Sequence, residues 1–373
     1  MRVLYLTNVP APYRVSFFNE WGQYCDLTVL FEKRTSDERD KSWSNYTFEN
    51  FKGIFLKGKA INTDTAICFE VIKYIKSEKY DKIICDNFSS PTGIIAIEYM
   101  RLLGRRFYLE SDGGFPKGGK GFKEKFKKHI ISGAEGYFST ANELDKYYLQ
   151  YGAKSERIFR YPFTSLKKKD IVLDIVIKGE KLEVRKKLNI CEEKIVLAVG
   201  QFIHRKGFDL LIKAAAELPR NIGFYFVGGE PTAEYIELKN NFGLNNVHFI
   251  GFKSKKDLAE YYKASDLFVL PTREDIWGLV INEAMANGLP VITTNRCVAG
   301  LELVKDGENG YIIDVDDIEA LSDKIKTILF DVDITAFSKR SLEIVNEYTI
   351  ENMVKRHIEI LEKSERNKNA KTK

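Results

Sequence analysis

The residues best suited to chemistry in this sequence of 373 residues lie between Pro271 and Ile292. The segment leaves a predicted strand, turns at a glycine and enters a predicted helix, whose first backbone N–H groups and positive dipole end suit a phosphate. Asp275 and Glu283 bracket the turn with seven residues between them. Carboxylates only accept hydrogen bonds, so two of them beside a phosphate suit the hydroxyls of a sugar and a ribose. The alternative is an ordinary strand–loop–helix connection with solvated acids.

A second segment, residues 199–211, also follows a predicted strand and opens a helix. Two adjacent cations, Arg205 and Lys206, stand at its turn. Cationic donors at such a position neutralise a pyrophosphate and stabilise a departing nucleoside diphosphate. A solvated Arg–Lys pair is the alternative.

Both segments resemble the donor site of retaining glycosyltransferase family 4, whose members have the GT-B fold and an acidic pair spaced E-x7-E. The resemblance implies that Glu283 holds the ribose hydroxyls. It also implies that Asp275, one methylene shorter than the family's Glu, lies by the sugar and the reacting centre. Glu274 is the other candidate for the first acid, with eight residues between it and Glu283.

The resemblance extends to further contacts with the donor. The implied donor-binding residues beyond the acidic pair are Gln201, Gly251, Phe252, Lys253, Gly278, Leu279 and Val280. In the family, the backbone amides at the positions of Leu279 and Val280 bind the diphosphate. The positions of Gly251, Phe252 and Lys253 contact the nucleobase. Lys206 matches the family's lysine at the diphosphate. Gln201 stands where the family often has Arg, and Arg205 is the residue that compensates for this difference.

The first half of the chain carries the candidates for acceptor binding. Residues 8–14 link the first predicted strand to a helix, and two prolines stiffen this loop. The loop is similar to the family's acceptor-side loop, which implies that Pro12, Tyr13 and Arg14 contact the acceptor. Judged from the residues alone, Arg14 is equally well a cation on the surface of a helix. Asp112 follows another predicted strand where many family members have a histidine near the reacting sugar, which implies a catalytic role.

A basic segment, residues 115–128, interleaves lysines with phenylalanines. On a helix, residues four apart share a face, so two of the phenylalanines lie together with cations beside them. Such a face suits an anionic membrane surface, at roughly 1 kcal/mol per cation. A solvated helix with its phenylalanines in the core is the alternative, and nucleic acid is disfavoured because nothing resembles a base-reading module. The candidate membrane residues are Lys120, Phe122, Lys123, Phe126 and Lys127.

Alternating strand and helix patterns run through the chain twice, which predicts two α/β units with parallel sheets. The predicted strands are residues 3–7, 26–31, 82–85, 107–110, 136–139, 195–199, 223–227, 247–250, 267–270, 291–293 and 310–313. The predicted helices include residues 66–77, 93–103, 142–151, 207–218, 255–264, 280–286, 317–329 and 350–363.

The resemblance implies that these units form the GT-B fold, two Rossmann-like domains facing across a cleft. Residues 1–165 are predicted to be the acceptor-binding domain and residues 190–345 the donor-binding domain, joined by a Lys-rich segment. Residues 346–373 are predicted to be a helix that packs back on the N-terminal domain and ends in a frayed polar tail.

Composition narrows the class of protein: 44% of the residues are hydrophobic and 30% are charged, as in globular proteins. No apolar run reaches the ~18 residues that a membrane-spanning helix needs, and the first residues do not resemble a signal peptide. A cytoplasmic protein is predicted, peripheral at the inner face of the plasma membrane if the basic segment binds lipid. The five cysteines show no CxxC spacing, which predicts reduced, buried thiols.

No metal and no cofactor are predicted. The four histidines are scattered along the sequence rather than grouped at the spacing of metal ligands. The segment Asp314-Val315-Asp316 is similar to the metal-binding DxD of the other glycosyltransferase fold. It follows a predicted strand and begins a predicted helix, however, where aspartates serve as helix caps.

The predicted function is retaining transfer of a hexosyl unit from a nucleotide-sugar to a glycan or polyprenyl-linked glycan during cell-surface polysaccharide assembly. Family habit favours a UDP-sugar over GDP-mannose as the donor. Two alternatives stay open. A nucleotide-sugar epimerase would share the fold class but needs acid/base residues that do not stand out here, and a non-catalytic protein would bind sugar nucleotides or membranes without turnover.

Overall fold

The structure is a computed structural model that describes residues 1–35, 46–77, 79–116, 118–175 and 178–371. The chain divides into two compact units. Met1–Ser165 and Thr349–Lys373 form the N-terminal unit, and Leu166–Tyr348 form the C-terminal unit. Each unit contains a parallel sheet connected by helices, so the predicted α/β class with two Rossmann-like halves is confirmed.

The N-terminal unit is built on one parallel sheet with the strand order β3-β2-β1-β6-β7-β8-β9. Its strands and helices are β1 (Arg2–Thr7), α1 (Pro12–Trp21), β2 (Asp26–Phe31), β3 (Lys52–Phe55), β4 (Lys59–Ala60), β5 (Ala66–Ile67), α2 (Val71–Lys76), β6 (Lys82–Cys85), α3 (Pro91–Leu102), β7 (Tyr108–Glu110), α4 (Phe122–Ile131), β8 (Gly136–Ser139), α5 (Asn142–Gln150), β9 (Ile158–Arg160) and the last helix of the chain, α14 (Ile350–Lys371). The short strands β4 and β5 form a separate antiparallel pair.

The C-terminal unit has a second parallel sheet with the strand order β12-β11-β10-β13-β14-β15. Its strands and helices are α6 (Lys178–Lys187), β10 (Lys194–Val199), α7 (Phe208–Ala216), β11 (Ile222–Val227), α8 (Ala233–Asn241), β12 (Val247–Ile250), α9 (Lys255–Ala264), β13 (Leu267–Leu270), α10 (Leu279–Ala286), β14 (Val291–Thr294), α11 (Val298–Leu303), β15 (Gly310–Ile313), α12 (Ile318–Lys326) and α13 (Ile334–Val345). In both sheets the strand order reverses once, between β1 and β6 and between β10 and β13.

The segment predicted to join the two domains folds with the C-terminal unit. Helix α6 packs against α9. Arg185, which is buried, donates from Nε to the carbonyl of Ala264 at 2.8 Å and from Nη2 to Asp266 at 2.7 Å. The C-terminal unit therefore begins at Leu166 rather than at residue 190.

The last helix belongs to the N-terminal unit, where it packs against α1. His357 on this helix is fully buried and stacks on Phe138, with ring centroids 4.6 Å apart. Its Nε2 lies 3.2 Å from a carboxylate oxygen of Glu110 at the end of β7. The helix continues to Lys371, beyond the end predicted at residue 363.

The predicted helix over residues 66–77 is wrong in its first part. Ala66 and Ile67 form β5, and the helix begins only at Val71. The backbone N–H of Ala66 is bonded to the carboxylate of Glu32, and the Thr92 hydroxyl donates to the Ala66 carbonyl at 2.7 Å. Both side chains come from distant parts of the sequence, and the Thr92 hydroxyl takes the Ala66 carbonyl that the first turn of a helix would otherwise use.

Two expectations from composition have mixed outcomes. Among the helices of the described residues, none is both long and apolar enough to cross a bilayer. All five cysteines are free thiols, but Cys191 is exposed and Cys25 is half-buried, so burial was predicted correctly only for the other three.

We expect Gly310→Ala to destabilise the C-terminal unit. A Cβ atom at this position would lie 1.9 Å from the carbonyl oxygen of Val291, its partner on β14, so the two strands would have to separate. Overpacking of this kind costs about 1–3 kcal/mol. Gly179→Ala in α6 is the control, because no atom lies within 4 Å of its Cβ position and alanine favours helix. Urea unfolding followed by tryptophan fluorescence measures both effects, and equal midpoints for the two variants would contradict this account.

Candidate functional site

The C-terminal unit brings its candidate donor residues to the carboxyl ends of β10 and β13. These are the neighbouring strands between which the strand order reverses, and ligands of open α/β sheets bind at such a point. The loop after β10 carries the basic pair, and the loop after β13 carries the acidic turn.

Lys206 and Asp275 form an ion pair at this point. The Lys206 Nζ lies 2.6 Å from Oδ2 of Asp275, and a guanidinium nitrogen of Arg205 lies 3.6 Å from Oδ1. The side chains of Lys206 and Asp275 are only 13% and 12% exposed, whereas that of Arg205 is 46% exposed. One carboxylate thus faces two cations in a partly desolvated pocket.

A close approach between the two loops fixes this geometry. Gly207, which follows the basic pair, has a positive φ of 67°, and a Cβ atom there would lie 2.0 Å from the carbonyl oxygen of Pro271. The Thr272 hydroxyl donates to the carbonyl of Arg205 at 2.8 Å. Glycine is therefore required where the basic turn packs on the acidic loop.

The two candidates for the first acid have different surroundings. Asp275 is buried beside Lys206. Glu274 instead accepts from Arg296 at 2.7 Å, in a pair that is more than a third exposed on both sides. The carboxylate of Asp275 contacts both members of the basic pair.

Helix α10 begins immediately after the turn, with Gly278 at its N-cap. Leu279 and Val280 form its first turn, and both are half-buried. Glu283 lies one turn further on, where its carboxylate accepts from the Tyr262 hydroxyl of α9 at 3.1 Å. The acids of the predicted pair thus have different partners, a lysine for the first and a tyrosine for the second.

The candidate nucleobase residues lie at the carboxyl end of β12, next to the loop that follows β11. Phe252 is 54% exposed. A Cβ atom on Gly251 would lie 3.6 Å from the carboxylate of Glu230, so the loops after these two strands are adjacent. Gln201 is exposed on the loop after the neighbouring strand β10, and Lys253 is half-buried.

In the N-terminal unit, Arg14 is at the centre of a buried network. Only 2% of the residue is exposed. Its Nη1 donates to the Tyr5 hydroxyl at 2.8 Å and to Glu110 at 3.0 Å, while Nη2 pairs with Asp86 at 3.1 Å and with Asp112. The interpretation of Arg14 as a cation on a helix surface is therefore wrong, because its charge is held by three carboxylates inside the unit.

Tyr13 and Asp112, predicted separately, are brought together by this network. The Tyr13 hydroxyl donates to Asp112 at 2.7 Å, and the Asp112 side chain is 30% exposed. Sequence reasoning missed Asp86, which accepts from the Thr7 hydroxyl at 2.8 Å. Thr7 ends β1 and Asp86 follows β6, so this bond lies where the strand order of the N-terminal sheet reverses. A carboxylate directly after a buried strand was the available signal.

Burial and charge affect the carboxylates of this network differently. Burial raises the pKa of Asp86 to about 7; Arg14 opposes this shift, and the neighbouring Asp112 and Glu110 carboxylates add to it. Burial also acts to raise the pKa of Glu110, but His357 and Arg14 outweigh it and lower the pKa to about 2. Asp86 is therefore the member of the network that takes up a proton near neutrality.

The basic segment forms helix α4 with exposed aromatic side chains. Phe122 is 84% exposed and Phe126 is 39% exposed. The alternative of a solvated helix with its phenylalanines in the core is therefore wrong for these two residues. Phe115, which precedes the helix, is buried.

The aspartates of the DxD-like segment have internal partners. Asp314 accepts from Asn295 at 2.6 Å, and Asp316 accepts from Arg273 at 2.9 Å. The cap of α12 is the next residue, Asp317, whose carboxylate accepts from the Ala320 N–H at 2.9 Å. Within the described part of the chain, no group of three or more His, Cys, Asp or Glu residues is arranged to hold a metal ion.

Most of the C-terminal unit matches a known protein family. Residues 180–340 match the family described as glycosyl transferases group 1. The lipopolysaccharide core biosynthesis glycosyltransferase LpsE of Rhizobium meliloti is 31% identical over 170 residues, which are 45% of this chain and 49% of LpsE. The D-inositol 3-phosphate glycosyltransferase of Mycolicibacterium smegmatis is 31% identical over 186 residues, 48% of this chain and 42% of that protein. The matches span about half the length of these relatives.

Solved structures match nearly the whole chain. Anabaena HepE in complex with UDP has a TM-score of 0.78 at 17% identity, covering 97% of this chain and 100% of HepE. Sucrose-phosphate synthase from Thermosynechococcus elongatus has a TM-score of 0.75 at 21% identity, covering 97% and 99%. The predicted GT-B fold is thereby confirmed.

We expect Asp86→Asn to change how stability depends on pH. Folded Asp86 keeps its proton up to about pH 7, whereas an unfolded Asp releases it near pH 4. The stabilisation linked to this proton is complete below about pH 4 and is lost as the pH rises to about 7. Asparagine cannot titrate, so the variant has no such loss. The unfolding free energy of the variant minus that of the wild type should therefore increase by about 2 kcal/mol between pH 5 and 7.5.

Urea unfolding at the two pH values measures this difference. Asp81→Asn is the control, because pairing with Arg2 lowers the pKa of Asp81 and moves its titration below this window. A difference between Asp86→Asn and wild type that stays constant with pH would rule out the raised pKa.

Proposed function

We propose that this chain transfers a hexosyl unit from a nucleotide-sugar to a glycan or polyprenyl-linked acceptor, with retention of anomeric configuration. The observation that carries the proposal is the Lys206–Asp275 ion pair at the strand-order reversal, next to the first turn of α10. The site combines cations for a diphosphate with carboxylates for hydroxyls. The match of residues 180–340 to group 1 glycosyl transferases supports the same chemistry.

The donor diphosphate binds between the basic pair and α10 in this proposal. Lys206 and Arg205 bind the phosphates, and the N–H groups of Leu279 and Val280 donate to them at the positive end of the helix. Glu283 accepts from the ribose hydroxyls. Uridine is favoured as the base because the similar HepE was crystallised with UDP and with UDP-glucose.

The transfer step requires no strong base. The bond between the anomeric carbon and the diphosphate oxygen breaks, and the acceptor oxygen bonds to that carbon from the same face. The acceptor hydroxyl proton passes to the departing phosphate oxygen. Lys206 and Arg205 stabilise the charge that develops on this oxygen, and Asp275 accepts from the sugar hydroxyls, so the protein contributes position and electrostatics.

The N-terminal unit supplies the acceptor contacts in this proposal. Tyr13 and Asp112, which are bonded to each other, offer a hydroxyl and a partly exposed carboxylate to the hydroxyls of an acceptor. Arg14, which is buried, positions the carboxylate of Asp112 by pairing with it. Pro12 is the first residue of α1 and fixes the backbone where the acceptor loop enters this helix. Asp112 is thus assigned to orientation of the acceptor rather than to proton abstraction.

We expect Lys206→Ala and Glu283→Ala each to abolish most of the transfer. Loss of a charge-stabilising donor costs about 10²–10³ in kcat, and loss of Glu283 weakens donor binding. Initial rates of sugar transfer, with donors chosen from a panel of sugar nucleotides by thermal shift, measure these effects.

Lys186→Ala is the matched control, because this lysine on α6 is 74% exposed and pairs with Glu183 of the same helix. Near-wild-type turnover of both site variants with an established donor would show that the site is assigned wrongly. Incubation of the donor without acceptor tests the epimerase alternative, since only an epimerase would produce an epimer.

We further propose that α4 contacts an anionic membrane surface. Phe122 and Phe126 are exposed on a helix that also carries Lys123 and Lys127, with Lys120 just before it. Aromatic side chains that enter the interface and lysines that attract anionic headgroups act together, at about 1 kcal/mol per lysine near the surface. A lipid-linked acceptor would then lie on the surface to which the protein binds.

The double variant Phe122→Ser/Phe126→Ser should bind vesicles of phosphatidylglycerol and phosphatidylcholine at least about tenfold more weakly than wild type. Co-sedimentation at low and high salt measures this, and binding of the wild type should fall at high salt. Phe242→Ser, which removes from the C-terminal unit a phenylalanine about as exposed as Phe126, should bind as wild type does. Equal binding of all three proteins would refute the membrane role of α4.

A further inference from the structure

Arg273, on the loop after β13, is bonded to three other segments of the C-terminal unit. Its Nη1 and Nη2 donate to the two carboxylate oxygens of Asp209, each at 2.8 Å. Nη1 also donates to the carbonyl of His204 at 2.8 Å, and Nε donates to Asp316 at 2.9 Å. The backbone N–H of Arg273 donates to the carbonyl of Arg205 at 2.8 Å. One residue thus connects the loops after β10, β13 and β15 with the first turn of α7.

The two carbonyl groups that Arg273 binds belong to the turn that presents the basic pair. Residues 204–206 form a single turn of 3-10 helix, and Arg273 bonds to the first two carbonyls of that turn. Lys206 leaves the same turn and reaches Asp275 at 2.6 Å. Because a single 3-10 turn has few internal hydrogen bonds, its orientation depends on these external contacts.

Asp209 keeps the guanidinium in place for this task. The side chains of Arg273 and Asp209 are 18% and 16% exposed, so their bidentate pair is largely shielded from water. Burial alone would raise the pKa of Asp209, but the hydrogen bonds and charge of Arg273 outweigh it and lower the pKa. Lysine cannot replace arginine here, because a single ammonium group cannot reach both carboxylate oxygens, the carbonyl and Asp316 at once.

We propose that Arg273, held by Asp209, is a positioning residue that sets Lys206 for contact with the diphosphate of the donor. The inference rests on the proposed function, since it assigns a purpose to the basic turn of the same site. Arg273 touches no substrate in this account and acts only through the carbonyls of the turn. Arg273 should therefore affect the binding of the phosphate farther from the nucleoside and leave the binding of the nucleoside itself unchanged.

The test compares the affinities of UDP and UMP for the full-length protein, with GDP and GMP as a second pair, by isothermal titration calorimetry. We expect Arg273→Lys to lower the ratio of UDP to UMP affinity by about tenfold, as for the loss of one charge-assisted hydrogen bond. Asp209→Asn should lower the ratio in the same direction and provides a second variant if Arg273→Lys folds poorly. In a Lys206→Ala background, Arg273→Lys should change the ratio less than about twofold, because the group being positioned is gone.

A purely structural role predicts different results. UDP and UMP affinities would then fall together with the melting temperature, leaving the ratio unchanged, and this outcome in both variants overturns the inference alone. Arg340→Lys is the matched control, since this arginine is exposed and bridges Glu308 and Glu343 away from the basic turn. A wild-type protein that binds none of these nucleotides would overturn the proposed function and the inference together.

Discussion

A lysine ammonium group lies 2.6 Å from a carboxylate at the carboxyl ends of β10 and β13, and both side chains are largely withdrawn from water. Removing a charged group from water costs free energy unless a group of opposite charge lies close to it. Lys206 and Asp275 each offset the desolvation cost of the other. The contact depends on two loops that are far apart in sequence and adjacent only because β10 and β13 pair in parallel. The topology of the sheet, together with a glycine that lets the loops approach, therefore creates the pair.

The N-terminal unit also has a cation paired with carboxylates where its strand order reverses, but there the cation is fully buried and the carboxylates outnumber it. There the cation is Arg14, which is 2% exposed and surrounded by Glu110, Asp86 and Asp112. Burial raises the pKa of one of these carboxylates, Asp86, to about 7, and the excess of negative charge that three carboxylates leave around one guanidinium adds to this shift. His357 on the last helix supplies a further contact to Glu110 and connects that helix to the network.

The sequence predicts the sheets better than it predicts the sites. Runs such as residues 195–199 are apolar throughout because strands of a parallel sheet are buried on both faces, and β10 was predicted to within one residue. The helix expected from Ala66 failed because Glu32 and Thr92, distant in sequence, bond to its first backbone groups. Propensity along the chain carries no information about such partners.

The same distinction holds for the candidate sites. Local patterns predict Lys206 and Asp275 as site residues, and their adjacency follows from the sheet topology and from the close approach at Gly207. The burial of Arg14 could not be predicted locally, because its three carboxylate partners lie more than seventy residues away. Asp86 stands directly after a strand, as Asp112 nearly does, but only the paired strands reveal that both face one guanidinium.

Arg14 and Arg205 differ in exposure, and this difference determines which of the two can turn to an external phosphate. Arg14 cannot turn to an external phosphate without leaving three carboxylates buried and unpaired, a cost larger than one surface contact returns. Arg205 is 46% exposed and 3.6 Å from Asp275, so it can turn to a phosphate while Asp275 keeps a hydrogen-bonded partner. In the proposed function, the donor phosphates therefore bind at the basic pair of the C-terminal unit, and the acceptor hydroxyl suits the acid-rich edge of the N-terminal unit. A glycosyl donor carries its negative charge on the diphosphate, whereas the acceptor reacts through a neutral hydroxyl. The charges of these two substrates therefore complement an exposed cation in one unit and an acid-rich edge in the other.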